Sequence, residues 1–255
     1  GIEVGLDEDR VSFFQPMLDA IGDVHWSVVA PGAMIDADAI VRLQRTRADA
    51  DAEIARVMED RRRSELGLDD VLGRLLAAEA AGEIDEVAVK DEVRSMVLAA
   101  TETTANALTW CLVMLDRHPE IRDELVRALE TEGEDAAWLL DGVILETLRL
   151  FPPVWANERQ AIEEVQEAGR VWKVGDRAVI STYHLHRDPG LWSDPDRFDP
   201  SRFRPPAEGA WQPPHRYAYF PFGAGPHLCI GRHLAMLEMR WILSRLLRKI
   251  GRAHV

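Results

Sequence analysis

The chain has 255 residues, 47% of them hydrophobic and 29% charged, with a formal net charge of -14 at pH 7 and only two cysteines. That balance fits a soluble globular fold of one or two domains, and the acidic excess excludes a nucleic-acid footprint. Two cysteines exclude a disulfide framework and point to a reducing, cytoplasmic setting. The most apolar run, Met96 to Leu115, is interrupted by Glu102 and Asn106, so it reads as a buried helix and not as a membrane span.

In chain order, Phe13, Phe14, Met17, Leu18 and Ile21 recur at helical spacing. Asp36 to Arg63 is rich in Ala, Asp, Arg and Glu with acid–base pairs three and four apart, which predicts a long helix with a solvated charged face. A second helix follows over Asp69 to Ala80, with Val71, Leu72, Leu75 and Leu76 on one side and Gly82 at its turn. Asp85 to Asp116 is the longest periodic stretch, and at ~1.5 Å per residue such a helix crosses a whole domain. Its middle, Ala99-Ala-Thr-Glu-Thr-Thr104, is rich in threonine, a poor choice for a helix centre. Either Thr103 and Thr104 bond back to the preceding turn, or an acid and a hydroxyl are placed there to handle protons.

His118-Pro119 breaks the chain and opens a helix over Pro119 to Thr131, followed by another over Ala136 to Leu150 that Phe151-Pro152-Pro153 stops. Within it, Glu146 and Arg149 form an i,i+3 pair, a weak signal alone. Glycines and alternating apolar residues over Val165 to Thr182 predict a small antiparallel sheet. Loops rich in Pro and Asp follow, at His186–Pro189, Trp192–Pro195 and Phe198–Phe203. Long ordered loops commonly carry function.

These loops feed Phe222-Gly-Ala-Gly-Pro-His-Leu-Cys-Ile-Gly231, a tight glycine-rich loop that runs into a helix reaching about Lys249. A lone cysteine is more often an inert small hydrophobe than a ligand. Cys229, however, sits where a loop meets a helix N-terminus, and the free N–H groups and dipole there favour a thiolate able to hold a metal.

The Phe222–Gly231 loop resembles the heme-thiolate loop of the cytochrome P450 family. Three further stretches are similar to motifs of that family in the same order: Glu146-x-x-Arg149, Phe198-Asp-Pro-Ser-Arg-Phe203, and Ala99–Thr104 with Ala100 where glycine is usual. The resemblance covers roughly residue 36 onward. It implies a mainly α fold with a small antiparallel β region, the C-terminal part of the cytochrome P450 fold. Residues 1–249 form one partial domain, helix-rich over 1–151 with the β and heme-thiolate region over 152–249.

The resemblance also implies the site. The cofactor is heme b (iron protoporphyrin IX), with Cys229 as the metal ligand; Phe222 shields the thiolate, and Gly223 and Gly231 shape the loop. His227 and Arg159 contact the heme propionates. Glu102 and Thr103 are the catalytic proton-delivery pair. Glu146, Arg149 and Arg202 form a structural ion triad. Met96, Ala99, Pro153, Val154, Trp155 and Ala156 line an apolar substrate pocket. The implied activity is monooxygenation, insertion of one atom of dioxygen into an apolar organic substrate. Electrons come from a separate ferredoxin or flavodoxin-type donor, for which Arg216, His227, Arg232, His233 and Arg240 offer a basic docking cluster.

Two other readings stand beside this one: a P450 peroxygenase or isomerase without electron partners, and a truncated fragment that binds heme without turnover. The chain begins at Gly1, which fits a fragment lacking its natural N-terminus. Ile250-Gly-Arg-Ala-His-Val255 matches the translation of a sequencing adapter, so residues 250–255 read as a non-native tail.

Overall fold

A computed structural model describes residues 15–21, 37–64, 70–131, 135–167, 169–206, 208 and 211–252. The chain divides into two compact units, Gly1–Glu102 and Thr103–Val255.

The first unit holds a short helix α1 (residues 15–21), α2 (Ala37–Arg63), α3 (Val71–Ala80) and the first part of α4 (Glu86–Arg117). Ala50, Ile54 and Met58 recur every four residues on α2, so one stripe faces inward. They pack with Met17, Leu72, Leu76 and Val89. The rest of α2 is mostly exposed, as its charge pattern predicts. Asp70 caps α3 by accepting from the Gly73 N–H at 2.7 Å. That N–H, with the Arg61 guanidinium next, holds its carboxyl below the usual range. Buried Arg94 reaches Asp91 on its own helix and Asp51 on α2. The expected helical residues Phe13 and Phe14 lie outside the described residues.

In the second unit the rest of α4 packs with α5 (Pro119–Thr131), α6 (Asp135–Leu150) and α8 (Arg232–Arg252). Cys111, Leu115, Leu125, Val143, Ile144, Met239, Leu243 and Leu247 are its core; the last three form an i,i+4 stripe that holds α8 down. Helix α8 continues to Arg252, past the expected end near Lys249, while residues 253–255 of the expected tail lie outside the described residues.

The β region differs from expectation at both ends. Strand β1 (Asn157–Gln160) pairs antiparallel with β4 (Arg177–Ile180), and β2 (Val165–Glu167) pairs with β3 (Arg170–Trp172) as a separate hairpin. Asn-Glu-Arg-Gln contains no apolar residue, so nothing in its pattern marks β1; backbone pairing with β4 makes it a strand. Thr182, the predicted end of the sheet, instead opens a short helix, α7 (Thr182–Leu185), capped by Ser181.

One glycine sets a close approach. A Cβ on Gly142 of α6 would stand 2.7 Å from the backbone oxygen of Pro200, in the 3-10 turn Pro200–Phe203. Alanine would gain about 0.5–1 kcal/mol of helix propensity, yet forcing backbone apart costs about 1–3 kcal/mol, so the clash wins. Gly142→Ala is expected to destabilise the chain by about 1–2 kcal/mol, read as a lower urea midpoint. An unchanged or higher midpoint would contradict the packing.

Candidate functional site

Helix α6 delivers Glu146 and Arg149 into the protein interior, both side chains 0% exposed. Three residues apart on a helix, they share one face. Arg149 Nε donates to Glu146 Oε2 at 2.6 Å and Nη2 to Oε1 at 2.8 Å. Nη1 donates to the carbonyls of His186 and Pro195, each at 2.7 Å, and Nη2 to that of Arg197 at 3.2 Å. A guanidinium carries five N–H bonds, and all are used. Glu146 Oε1 also accepts from the Asp199 N–H at 2.9 Å and from Arg202 Nε at 3.3 Å. Arg202 in turn donates to the Asp194 carbonyl at 2.8 Å. The two ends of the predicted triad are thus brought together from more than fifty residues apart, and the loops after α7 are clamped around them. Burial pushes the Glu146 carboxyl up, against the downward pull of Arg149, the Asp199 N–H and Arg202.

Aromatic rings close this region. Trp192, Phe203 and Ala218 are buried together, with Trp211 and Tyr219 against them. Tyr219 donates to the Leu145 carbonyl at 2.9 Å, Trp192 Nε1 to the Ala218 carbonyl at 3.3 Å, and Trp211 Nε1 to the Arg202 carbonyl at 2.6 Å. Arg149 also lies 5.1 Å from the Trp192 ring centroid.

The cysteine loop leaves this cluster. Phe222 packs against the main core, while residues 224–230 are exposed. Gly223 and Gly225 hold φ of 77° and 69°, backbone that side-chain-bearing residues rarely adopt. The Cys229 N–H donates to the Phe222 carbonyl at 2.8 Å, closing the loop on itself. Pro226 and His227 lie in the 3-10 turn Gly225–His227, and Arg232 begins α8. A Cβ on Gly231 would meet the Cys229 sulfur at 3.8 Å. The result is a thiol carried on an outward-facing loop, flanked by exposed Leu228 and Ile230.

The other predicted site residues fall as follows. Glu102 is exposed and Thr103 half-buried, both on α4 with half-buried Met96 and exposed Ala99. In this stretch Thr101 bonds back to the preceding turn, its hydroxyl donating to the Val97 carbonyl at 2.7 Å, and Thr104 is buried. Pro153 and Ala156 are half-buried, and Val154 and Trp155 exposed, in the segment between α6 and β1. Arg159 is exposed on β1 opposite Ala178, its guanidinium on the Glu158 carbonyl at 2.9 Å. In the basic cluster, Arg240 is already bound by Asp141 through two hydrogen bonds, one of 2.8 Å. Arg232 lies 3.2 Å from His233.

One residue the sequence reading passed over is His186, fully buried between Arg149 and Phe220. Its ring carries no signal in the sequence beyond membership of a Pro- and Asp-rich loop. A carbonyl can only accept, so Nδ1 donates to the Arg149 oxygen at 3.2 Å; a backbone N–H can only donate, so Nε2 accepts from Phe220 at 3.0 Å. The ring is therefore neutral, and burial lowers its pKa to about 4. Above pH ~6.5 neither the folded nor the unfolded state binds this proton. As pH falls from there toward about 4 the unfolded state gains it first, so stability is lost, about 1.4 kcal/mol per pH unit and on the order of 3 kcal/mol in all. Urea titrations between pH 7 and 4 are expected to show this slope reduced in His186→Gln; equal slopes would contradict it.

Comparisons place this arrangement among known proteins. The cytochrome P450 family profile, described as Cytochrome P450, matches residues 36–250. Cyclooctat-9-en-7-ol 5-monooxygenase of Streptomyces melanosporofaciens is 32% identical over 94% of this chain and 55% of its own length. Putative cytochrome P450 120 of Synechocystis is 32% identical over 81% of this chain and 48% of its own. A solved structure, retinoic acid bound cyanobacterial CYP120A1, superimposes with a TM-score of 0.75 at 29% identity, covering 91% of this chain and 55% of that one. The chain spans about half the length of these relatives. The family match spans the helices and the paired short strands, and the chain belongs to the cytochrome P450 family.

Proposed function

We propose that the chain is the heme-binding part of a monooxygenase that inserts one atom of dioxygen into an apolar organic substrate. The observation that carries this reading is Cys229, presented outward on a loop held by two left-handed glycines and its own N–H bond to Phe222. The donor set fits the cofactor: among the described residues no three His, Cys, Asp or Glu side chains converge. A metal at Cys229 would have to bring most of its ligands with it, as heme b does. When bound, that heme supplies the iron chemistry that activates dioxygen.

In this reading Cys229 would hold the heme iron through its thiolate, and the loop shaped by Gly223 and Gly231 would orient its sulfur. Phe222, anchored in the core, keeps water from one side of it. His227 and Arg159, both exposed, offer donors to the propionates. Glu102 exchanges protons with solvent from its exposed place on α4, and the Thr103 hydroxyl passes them inward. Pro153, Val154, Trp155 and Ala156 supply an apolar wall. Retinoic acid and cyclooctat-9-en-7-ol, named for two similar proteins, are both mainly hydrocarbon, in keeping with such a wall. No helix among the described residues is long and apolar enough to cross a membrane. Electrons arrive from a separate acidic carrier of ferredoxin or flavodoxin type. It docks on Arg216, His227, Arg232 and His233, while Arg240 contributes less because Asp141 neutralises it.

The test is spectroscopic. The chain, loaded with heme and reduced under carbon monoxide, is expected to show the strongly red-shifted Soret band of a thiolate-ligated heme. Heme uptake without that shift would overturn the thiolate assignment.

A further inference from the structure

We propose that His186 is a positioning residue that braces the cysteine loop against the Glu146–Arg149 cluster. Its imidazole links the end of α6 to the backbone that leads into the cysteine loop. The Arg149 carbonyl accepts from Nδ1 at 3.2 Å, and Nε2 accepts from the Phe220 N–H at 3.0 Å. The Phe220 carbonyl accepts from the Gly223 N–H at 2.9 Å, and the Phe222 carbonyl accepts from the Cys229 N–H at 2.8 Å. Four short contacts thus run from the end of α6 to the backbone of Cys229.

The brace is held from both sides. Arg149 grips the same residue twice, its carbonyl on the His186 ring and its guanidinium on the His186 carbonyl at 2.7 Å. The ring is stacked 5.2 Å from Tyr219 and meets Phe220 edge-on at 5.4 Å. Tyr219 is itself tied to the Leu145 carbonyl. His186 therefore has one position, and the Phe220 N–H, at the entrance of the loop, has a fixed acceptor. Residues 224–230 are exposed, so this anchor and the packed side of Phe222 tie the start of the loop to the core. A buried network with every member paired specifies one arrangement. Only the role of Cys229 as a heme ligand rests on the reading above; the bracing itself is a property of the chain.

Two variants separate the two ring nitrogens. Gln at 186 places an acceptor near the Nε2 position, whereas Asn places its amide near Nδ1 and cannot reach Phe220. Amide hydrogen exchange on the chain without added heme is expected to quicken at least tenfold at Phe220, Gly223 and Cys229 in His186→Asn. It stays near wild type at those amides in His186→Gln, while Leu125 and Ile144 in the core report that both variants are folded. Equal loss in both variants, or loss in neither, overturns the proposal. If the Asn variant does not fold, nitrogen NMR of the wild-type ring decides: a neutral ring protonated at Nδ1 at pH 7 supports the brace, and protonation at Nε2 overturns it. With heme added, His186→Asn is further expected to lose part of the red-shifted carbon monoxide band to an unshifted one. Failure of heme to bind at all leaves the exchange result standing, so the two readings fail separately.

Discussion

Replacing Cys229 by serine is expected to abolish the red-shifted carbon monoxide band entirely, while Cys111→Ser leaves it in place. The chain has only these two cysteines, and their surroundings separate them. Cys229 is exposed on the loop, whereas Cys111 is 0% exposed in the main core, where burial pushes its thiol up to about 11 and the Thr147 side chain only partly offsets that. Cys111 is therefore no thiolate at neutral pH. A serine hydroxyl at 229 is neutral near pH 7 and gives no charged donor, so the signature disappears. Because the site is exposed, Cys229→Ser should change stability by no more than about 0.5 kcal/mol, which separates a lost ligand from a lost fold. Cys111→Ser should do the reverse, costing about 1–3 kcal/mol for a hydroxyl placed in the core without moving the band. A band that persists in Cys229→Ser would refute the assignment.

Arg149→Ala is expected to be the most destabilising single change, about 3–5 kcal/mol by urea unfolding. It leaves the 0%-exposed Glu146 carboxylate with only Arg202 and the Asp199 N–H, and it orphans the carbonyls of His186, Pro195 and Arg197. Against a total stability of about 5–15 kcal/mol for a typical domain, that is a large share. Arg149→Lys keeps the charge but offers at most three donors on a point ammonium in place of the planar fork, so an intermediate loss of about 2–3 kcal/mol is expected. The double change Glu146→Leu with Arg149→Met removes the stranded charge along with its partner and should recover part of the loss. Arg149→Ala within about 1 kcal/mol of wild type would show that the cluster is not the clamp its geometry describes.

The helices were legible because each rests on local rules. Periodicity, Pro119 at a first turn and Phe151-Pro152-Pro153 at a stop placed boundaries within a residue or two of the observed ones. The strand Asn157–Gln160 was not legible, because its only reason for being extended is a partner some twenty residues later. The family resemblance marks Glu146, Arg149 and Arg202 as an ion triad, but the Glu146–Arg149 spacing by itself reads as an ordinary surface pair. Only tertiary packing made it a fully buried cluster, by sealing it under Trp192, Phe203 and Tyr219.

The cysteine loop divides in the same way. Glycine content and the following amphipathic helix determined by themselves that Cys229 sits in a tight turn before α8, because left-handed backbone and helix propensity are local properties. What anchors that turn was decided by the tertiary structure alone. His186 reaches Phe220 across 34 residues and Arg149 across 37, and no local rule pairs an imidazole with a backbone group that far away. Buried polar groups take whatever partners the packed chain brings within 3 Å or so, and that choice is made only when the whole unit closes.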